Sequence, residues 1–332
     1  MTAAQNAIVQ RNTPKLIKSK YYLGLINFSN PDNAKHAMNL NPRHTEAFRA
    51  VVETGSFEQA AVQLHLTSPA ISQRVRALES QLGNALIVRS RPARATRMGQ
   101  RLMQYLKRAK LLEDDLEAEL AVEHDAPLTL VLALNADSIG TWFFPALSDV
   151  LIRERVLLDL LVEDQDHTYT LLETGMAIGC ITTEAKPMRG CIAEPLGVMR
   201  YWLVATPAFR QQWFAHGITR QAARTAPVVA YTRKDTLQSS YLQEQLGLPE
   251  GAYPCHYVPG ATSHFNAIRY GLGYGMVPEL LLRANPDGAL VDKLAPAQPA
   301  DVALYWHTWK VQSPRLEQLS RQIIAAARSM LA

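Results

Sequence analysis

Residues 48–99 read FRAVVETGSFEQAAVQLHLTSPAISQRVRALESQLGNALIVRSRPARATRMG, and this stretch decides the fold of the amino-terminal part of the chain. Apolar residues recur there every three to four positions, which is the spacing of helices that each bury one face. The pattern predicts helices over 43–53, 57–66 and 70–81, and Gly83 ends the third one because glycine favours the left-handed conformation that closes a helix. The positions expected to be buried are Ala47, Phe48, Val51, Val52, Phe57, Ala60, Ala61, Leu64, Ile71, Val75, Leu78 and Leu82.

The third helix begins with strong start signals and is followed by a basic loop. Thr67 or Ser68 is expected to cap it, and Pro69 occupies its first turn, where a missing N–H costs least. Small and amide side chains on its exposed face suit base edges, whereas the nearby arginines suit phosphates. The pattern predicts a helix-turn-helix whose third helix enters the major groove of double-stranded DNA, with the loop as a wing. The residues expected at DNA are Ser68, Pro69, Ala70, Ser72, Gln73, Arg74, Arg76, Arg89, Arg91 and Arg94.

The spacings in this stretch resemble those of the LysR-type transcriptional regulators. The matching residues are Ala60, Ala61, Leu64, Ser68, Pro69, Ala70, Ile71, Ser72, Leu78, Glu79, Leu82, Gly83, Arg89, Thr96 and Gly99. The resemblance implies a winged helix-turn-helix, a long linker helix and a two-lobed effector domain like a periplasmic binding protein. The alternative is a helix-turn-helix that serves only as a packing element.

A long amphipathic helix is predicted over 96–122. Its apolar stripe consists of Met98, Leu102, Leu106, Ala109, Leu112, Leu116 and Leu120. A stripe of this length usually packs on a partner helix. In the resembled family this helix forms the dimer contact, so we expect a homodimer or homotetramer; the alternative is a helix that packs only on its own chain.

From Pro127 onwards strands alternate with helices, which predicts parallel βαβ units with helices on both faces and an α/β fold class. Strands are expected over 128–134, 156–162, 177–182, 201–205, 228–231, 256–258, 274–277 and 302–307, and helices over 138–152, 169–175, 237–246, 264–270 and 314–330. The expected organisation is a winged helix-turn-helix domain over 38–97, a linker and dimerisation helix over 98–126, effector lobe I over 127–197 and 300–332, and effector lobe II over 198–299.

Polar side chains follow several of these strands, at the edge of the sheet where ligands of open α/β folds bind. After the first strand a helix begins, and its free N–H groups with the hydroxyls of Ser138 and Thr141 predict a seat for a carboxylate. Acidic residues facing that seat predict a zwitterion with an extra positive charge. The residues expected at the effector are Asp137, Ser138, Thr141, Trp142, Glu163, Asp164, Thr183, Tyr231, Asp235 and His264. Alternatively, Asp137 only caps its helix, and Glu163 and Asp164 are solvated loop charges.

A second group of residues is similar to the ArgP/LysG branch of the LysR family, whose members sense lysine or arginine and control basic amino acid export. The group comprises residues 135–138, 141–142, 147, 162–164, 226–230, 254–256 and 304–307. This resemblance implies L-lysine or L-arginine as effector, operator DNA and RNA polymerase as partners, and no catalytic residue, metal or cofactor. Arg233 and Lys234, beside the expected site, depart from a purely acidic environment. A LysR-type regulator of another metabolite, and a solute-binding receptor without a transcriptional role, stay open as alternatives.

Charge is divided along the chain. Residues 1–37 and 38–97 each carry a net charge of +4 and residues 98–332 carry −4, within an overall net charge of +4. A basic front part suits nucleic acid, and an acidic body suits a cationic small molecule. The three cysteines contain no Cys-x-x-Cys pair and are expected to be free thiols. Because no apolar run reaches membrane-spanning length, we expect a cytoplasmic protein without a membrane partner.

The first 37 residues require a separate interpretation. Their apolar run is short, is interrupted by Gly24 and Asn27, and lacks a cleavage site, so it does not predict a signal peptide. The residues from Met38 resemble the usual start of the family. We therefore expect residues 1–37 to be an upstream extension that is mostly disordered. The functional alternative is a basic arm that adds phosphate contacts.

Overall fold

The structure is a computed structural model of the chain. It describes residues 40–120, 127–163, 167–284, 290–294 and 298–331, with the side chains of residues 118 and 119 left out. The predicted extension over 1–37 and the predicted effector residue Asp164 lie outside these described residues.

In chain order the amino-terminal elements are α1 (Pro42–Thr54), α2 (Phe57–Gln63), α3 (Ser68–Leu82), β1 (Ile87–Val88), β2 (Arg94–Ala95) and α4 (Arg97–Leu120). The next elements are β3 (Leu128–Leu134), α5 (Ala136–Ser138), a π-helical segment (Ile139–Phe143), α6 (Phe144–Arg153), β4 (Val156–Val162), α7 (Thr168–Glu173), β5 (Gly179–Thr182) and β6 (Cys191–Ala205). The remaining elements are α8 (Pro207–Trp213), α9 (Arg220–Thr225), β7 (Val228–Ala230), α10 (Leu237–Leu246), β8 (Cys255–Tyr257), α11 (Ala261–Arg269), β9 (Gly275–Pro278), α12 (Glu279–Ala284), β10 (Asp292–Lys293), β11 (Ala300–Trp309) and α13 (Pro314–Met330).

The first three helices pack on one another through their predicted apolar faces. Their fully buried side chains include Phe48, Val51, Ala60, Ile71, Val75 and Leu78. The Thr67 hydroxyl accepts a hydrogen bond of 3.3 Å from a first-turn N–H, so α3 begins at Ser68, two residues before the predicted start. Gly83 closes α3 with a φ of 65°, as predicted. The predicted end of α2 at residue 66 is wrong, because His65 has a φ of 52° and leaves the helix.

The wing is a two-stranded antiparallel ribbon in which Ile87 of β1 pairs with Ala95 of β2. Thr96 joins the wing to α4: its N–H donates to the carbonyl of Leu86 at 2.9 Å, and its hydroxyl accepts from the N–H of Gly99 at 3.1 Å. Gly99 packs directly on that carbonyl, because a Cβ atom at residue 99 would lie 2.1 Å from the Leu86 oxygen. Backbone contacts therefore fix the wing to the first turn of α4.

One side of α4 contacts two separate parts of its own chain. The Lys107 ammonium lies 3.4 Å from Glu53 Oε1 on α1, and it also donates to the carbonyl of Met176 at 3.0 Å. One turn earlier, Gln104 Nε2 donates to the carbonyl of Glu173, the last residue of α7, at 2.5 Å. The helix thus links the helix-turn-helix to the turn between α7 and β5.

The predicted apolar stripe of α4 is covered only in part by this chain. Leu102 is buried and Leu106 is half-buried. Leu112, Leu116 and Leu120 keep 46%, 54% and 74% of their surface exposed. Own-chain packing therefore leaves the carboxy-terminal half of the stripe open to a partner.

A mixed sheet of seven strands forms the centre of the carboxy-terminal part, in the order β10-β6-β11-β5-β3-β4, with β9 also paired to β6. β3 runs parallel to β4 and β5, as expected from the βαβ pattern. β11 runs antiparallel to both β5 and β6. The expectation of parallel strands is therefore wrong for the two long strands, β6 and β11. Only residues 201–205 of β6 were predicted, because Pro195 and Gly197 interrupt the apolar pattern of its first half.

The long strands β6 and β11 pair with each other over the whole length of β11. Their pairing shifts register between Leu304 and Tyr305, opposite Gly197, which has a φ of 132°. Beyond that point β6 carries β9 and β10, and a smaller parallel sheet of β7 and β8 lies next to β9. The predicted lobe limits at 197 and 299 stay a prediction. No helix within the described ranges is long and apolar enough to cross a membrane.

Candidate functional site

α3 and the wing carry the residues predicted to contact DNA. Pro69, Gln73, Arg76, Arg89, Arg91 and Arg94 are exposed, whereas Ser68, Ala70, Ser72 and Arg74 are half-buried. The Arg89 guanidinium lies 4.9 Å above the ring of Phe57, which connects the wing to the start of α2. The structure therefore places the predicted set on one helix and one adjoining loop.

This surface offers two kinds of contact to a duplex. The Gln73 amide has both a donor and an acceptor, which matches the major-groove edge of adenine. The arginine side chains supply positive charge for phosphates, which gives affinity without reading sequence. The buried face of α3 is fixed by Ile71, Val75 and Leu78, so the exposed face is presented as a rigid unit.

A cavity of 410 Å³ lies beyond the carboxyl ends of β3, β4 and β7. Its size falls within the range of roughly 300–1,000 Å³ that is usual for small-molecule sites. Its wall consists of Asn135, Ala136, Asp137, Val162, Glu163, Tyr201, Tyr231, Thr232, Arg233, Lys234, Asp235, Leu237, Gln238, Pro259, Gly260, His264 and Met276.

The structure brings part of the predicted effector set together at this cavity. The predicted residues that line it are Asp137, Glu163, Tyr231, Asp235 and His264. The predicted residues that do not line it are Ser138, Thr141, Trp142 and Thr183, and Asp164 is outside the described residues.

The residues whose hydroxyls are predicted to hold a carboxylate do not line the cavity. Ser138 and Trp142 are fully buried, and the Thr141 hydroxyl donates to the carbonyl of Asp137 at 2.6 Å. The first turn after β3 therefore presents the Asp137 carboxylate to the cavity instead of the Ser138 hydroxyl. The helix start therefore contributes an acidic group to the cavity wall, and the carboxylate seat stays a prediction.

Asp137 is the most enclosed acid of the cavity wall, with 7% of its surface exposed. Its carboxylate accepts hydrogen bonds from the hydroxyls of Tyr201, at 2.8 Å, and Tyr231. Burial and the negative charge of Asp137 raise the pKa values of both tyrosines, so both hydroxyls keep their protons at neutral pH. The two donors hold the carboxylate in one orientation.

His264 packs against the ring of Tyr231. The two rings stack with their centroids 4.5 Å apart, and His264 Nε2 lies 3.1 Å from the carbonyl oxygen of Val229. Because a carbonyl only accepts hydrogen bonds, Nε2 carries the imidazole proton. Burial lowers the pKa of His264 to about 4, so the ring is neutral at pH 7.

Among the lining residues outside the predicted effector set are Tyr201, Gln238 and Met276. Gln238 Oε1 accepts a hydrogen bond of 2.8 Å from the N–H of Met276. Its Nε2 is a buried donor without a partner among the described residues. No local sequence signal identifies these residues, because β6, α10 and β9 meet only through tertiary packing.

The charged side chains of the described wall are Asp137, Glu163, Asp235, Arg233 and Lys234. Lys234 Nζ lies 3.8 Å from Glu163 Oε2, and the Arg233 guanidinium lies 4.3 Å above the ring of Tyr257. With His264 neutral, three carboxylates and two cations leave one net negative charge. This balance suits a ligand whose net charge is positive.

Cys180, Cys191 and Cys255 are free thiols, as predicted. Burial raises the pKa of Cys191 to about 12 and that of Cys180 further, which keeps both thiols protonated at neutral pH. Within the part of the chain that the structure describes, no group of three His, Cys, Asp or Glu side chains is placed to hold a metal ion.

Comparison with known proteins assigns both parts of the chain. Residues 42–100 match the bacterial regulatory helix-turn-helix proteins of the lysR family, and residues 129–328 match the LysR substrate binding domain. The HTH-type transcriptional regulator ArgP of Aeromonas salmonicida is 38% identical over 287 residues, which cover 86% of this chain and 96% of that protein.

Two solved structures are similar over nearly the same length. ArgP from Mycobacterium tuberculosis has 39% sequence identity and a TM-score of 0.74, and the match covers 88% of this chain and 99% of that one. Full-length LysG from Corynebacterium glutamicum with bound effector Arg has 34% identity and a TM-score of 0.69, with the same coverage of 88% and 99%. The family predicted from residues 48–99 is thereby confirmed: this chain belongs to the LysR family of bacterial regulatory helix-turn-helix proteins.

Proposed function

We propose that this LysR-family transcriptional regulator binds L-arginine or L-lysine as its effector in the 410 Å³ cavity, and binds operator DNA through α3 and the wing. The observation that carries the effector proposal is the set of three carboxylates, Asp137, Glu163 and Asp235, around one small-molecule cavity. The proposal includes no catalytic step and no cofactor. Its target genes are expected to serve basic amino acid export or metabolism.

The pose follows from the positions of the acids. Asp137 is buried and its carboxylate is held by two tyrosine hydroxyls, so it suits a cationic group that enters the cavity. Glu163 lies nearer the mouth, where its side chain is 41% exposed. A basic amino acid has two cationic groups, and we place its α-ammonium at Asp137 and its side-chain cation at Glu163. The arginine bound in the similar LysG structure supports this choice of ligand.

Assembly is part of the same proposal. The exposed Leu112, Leu116 and Leu120 of α4 would form the seam of a homodimer or homotetramer, which supplies two recognition helices to one operator. RNA polymerase is the proposed partner in transcription, as the family resemblance implies.

Matched pairs of amino acids test the effector. Isothermal titration of the full-length protein would compare L-arginine with L-citrulline, its uncharged analogue, and L-lysine with L-norleucine. The basic member should bind tighter by roughly 10- to 150-fold, because a hydrogen bond to a charged group contributes about 1.5–3 kcal/mol. A protein that binds each pair equally, or binds neither member, would overturn the proposed effector and leave the family assignment intact.

The acid itself is tested by Asp137→Asn, which keeps the shape of the side chain and removes its charge. We expect this variant to bind L-arginine and L-citrulline each at least about tenfold more weakly, because both carry the α-ammonium that the carboxylate attracts. Asp149→Asn is the matched control, since Asp149 is an exposed acid on α6 outside the cavity. Equal arginine affinity of all three proteins would remove Asp137 from the site.

A further inference from the structure

One short segment after β7 contacts the two acids that the proposed function assigns to the cationic groups of the effector. The hydroxyl of Tyr231 donates to Asp137, and the ammonium of Lys234 lies 3.8 Å from Glu163. The two acids follow β3 and β4, on the other side of the cavity. In this structure the chain's own donors therefore occupy both acids.

The contact between Lys234 and Glu163 differs in kind from the tyrosine contact. A lysine side chain ends in the same four-carbon stem and ammonium group as free L-lysine, and carries the same charge as the guanidinium of L-arginine. Both side chains line the cavity and remain accessible, at 63% for Lys234 and 41% for Glu163. An effector cation that approaches Glu163 meets an ammonium group already there.

Arg233 provides the internal comparison. It lines the same cavity and has the same charge, but its guanidinium is held over the ring of Tyr257 at 4.3 Å. Within the described ranges, Lys234 thus pairs with Glu163, whereas Arg233 is held by an aromatic ring. Arg233 therefore serves as the comparison for the effect of positive charge alone, and Lys234 for the effect of pairing with Glu163.

We infer that Lys234 competes with the effector for Glu163. The effector's side-chain cation displaces Lys234 on binding, and this competition raises the effector concentration to which the protein responds. The inference rests on the proposed function. Because the ion pair is exposed, its cost to the effector is small, and removing it should improve affinity by roughly two- to fivefold.

The test is a double-mutant cycle by isothermal titration of the full-length protein with L-arginine. Lys234→Met should lower the Kd roughly two- to fivefold. In the Glu163→Gln background the same Lys234→Met change should leave the Kd unaltered, because the acid for which Lys234 and the effector compete is then absent. Arg233→Met should lower the Kd less than Lys234→Met does, because it removes only a general positive charge of the wall. L-citrulline, which lacks the side-chain cation, should bind Lys234→Met and the parent protein equally.

Other results would overturn the inference. A weaker or unchanged affinity of Lys234→Met for L-arginine would show that Lys234 binds the ligand or takes no part. The effect would belong to the general electrostatic field if Arg233→Met lowered the Kd for L-arginine as much as Lys234→Met does. The same would hold if Lys234→Met still lowered the Kd in the Glu163→Gln background. Failure of the proposed function is distinguishable, because the parent protein would then not prefer L-arginine over L-citrulline at all.

Discussion

The exposed half of the α4 stripe leads to a quantitative prediction about assembly. Leu112 and Leu116 keep 46% and 54% of their surface exposed in the single chain. Complete burial of a leucine contributes about 1.5–3 kcal/mol, so covering these fractions contributes about 1.5–3 kcal/mol per chain. A symmetric dimer contains the seam twice, which gives about 3–6 kcal/mol.

The perturbation is Leu112→Glu with Leu116→Glu, which removes this contribution and places a charge in the seam. Leu106 is a poorer choice because it is half-buried in its own chain, so a charge there would also disturb folding. The dimer Kd should rise by roughly 10²- to 10⁴-fold, since each 1.4 kcal/mol corresponds to a factor of ten.

Sedimentation equilibrium across nanomolar to micromolar concentrations measures this Kd directly. Val62→Glu is the control, because Val62 is an apolar residue on α2 that is 77% exposed and lies off the stripe. We expect the control to associate like the parent protein and the double variant to sediment as a monomer at low concentration. Identical association constants for all three proteins would refute the assignment of α4 as the dimer seam.

Two further predictions concern the DNA surface and the cavity. Arg76→Ala should weaken binding to every DNA sequence and reduce the slope of log K against log salt by about one, because a phosphate contact is lost. Gln73→Ala should instead reduce the discrimination between bases at one base pair by about 1–3 kcal/mol. Gel-shift titrations at several salt concentrations separate the two, and equal behaviour of both variants would contradict the proposed roles. The free energy of unfolding should fall by about 2 kcal/mol between pH 7 and pH 5. In the unfolded chain His264 takes up a proton as the pH falls below its ordinary pKa of 6.5. In the folded chain the pKa of His264 is about 4, so the ring stays neutral over this range. Urea unfolding of the parent protein and of His264→Gln at both pH values checks this, and the variant should lose that part of the pH dependence.

Local signals in the sequence were sufficient for the helix-turn-helix and for several effector-domain elements. The predicted limits of β3, β4, α10 and α13 agree with the structure. β3 and β4 are mostly apolar runs, Gly247 closes α10, and Ser313 and Pro314 begin the amphipathic α13. The family motif that pairs Thr96 with Gly99 also has a physical explanation in the structure. Thr96 caps α4, and Gly99 leaves room for the Leu86 carbonyl, so both residues are required where the wing joins the helix.

Long-range packing was not predictable in the same way. The first half of β6 contains Pro195 and Gly197, and its strand character depends on pairing with β11, about a hundred residues later in the chain. At the cavity, the strand-end rule located Asp137 and Glu163 because it depends only on topology. It could not say whether Asp137 or Ser138 faces the ligand, since the helix that follows decides which side chain turns inward.

Lys107 has a consequence for how this protein could be recombined with its relatives. Its ammonium joins Glu53 of α1 to the Met176 carbonyl of the effector domain, so its position cannot be allotted to either domain alone. A chimera that exchanges the DNA-binding head at the start of α4 keeps Lys107 but receives a foreign residue in place of Glu53. Such a hybrid loses this ion pair unless the incoming head also carries an acid at the position of Glu53. The natural unit of exchange is therefore the head together with the first three turns of α4.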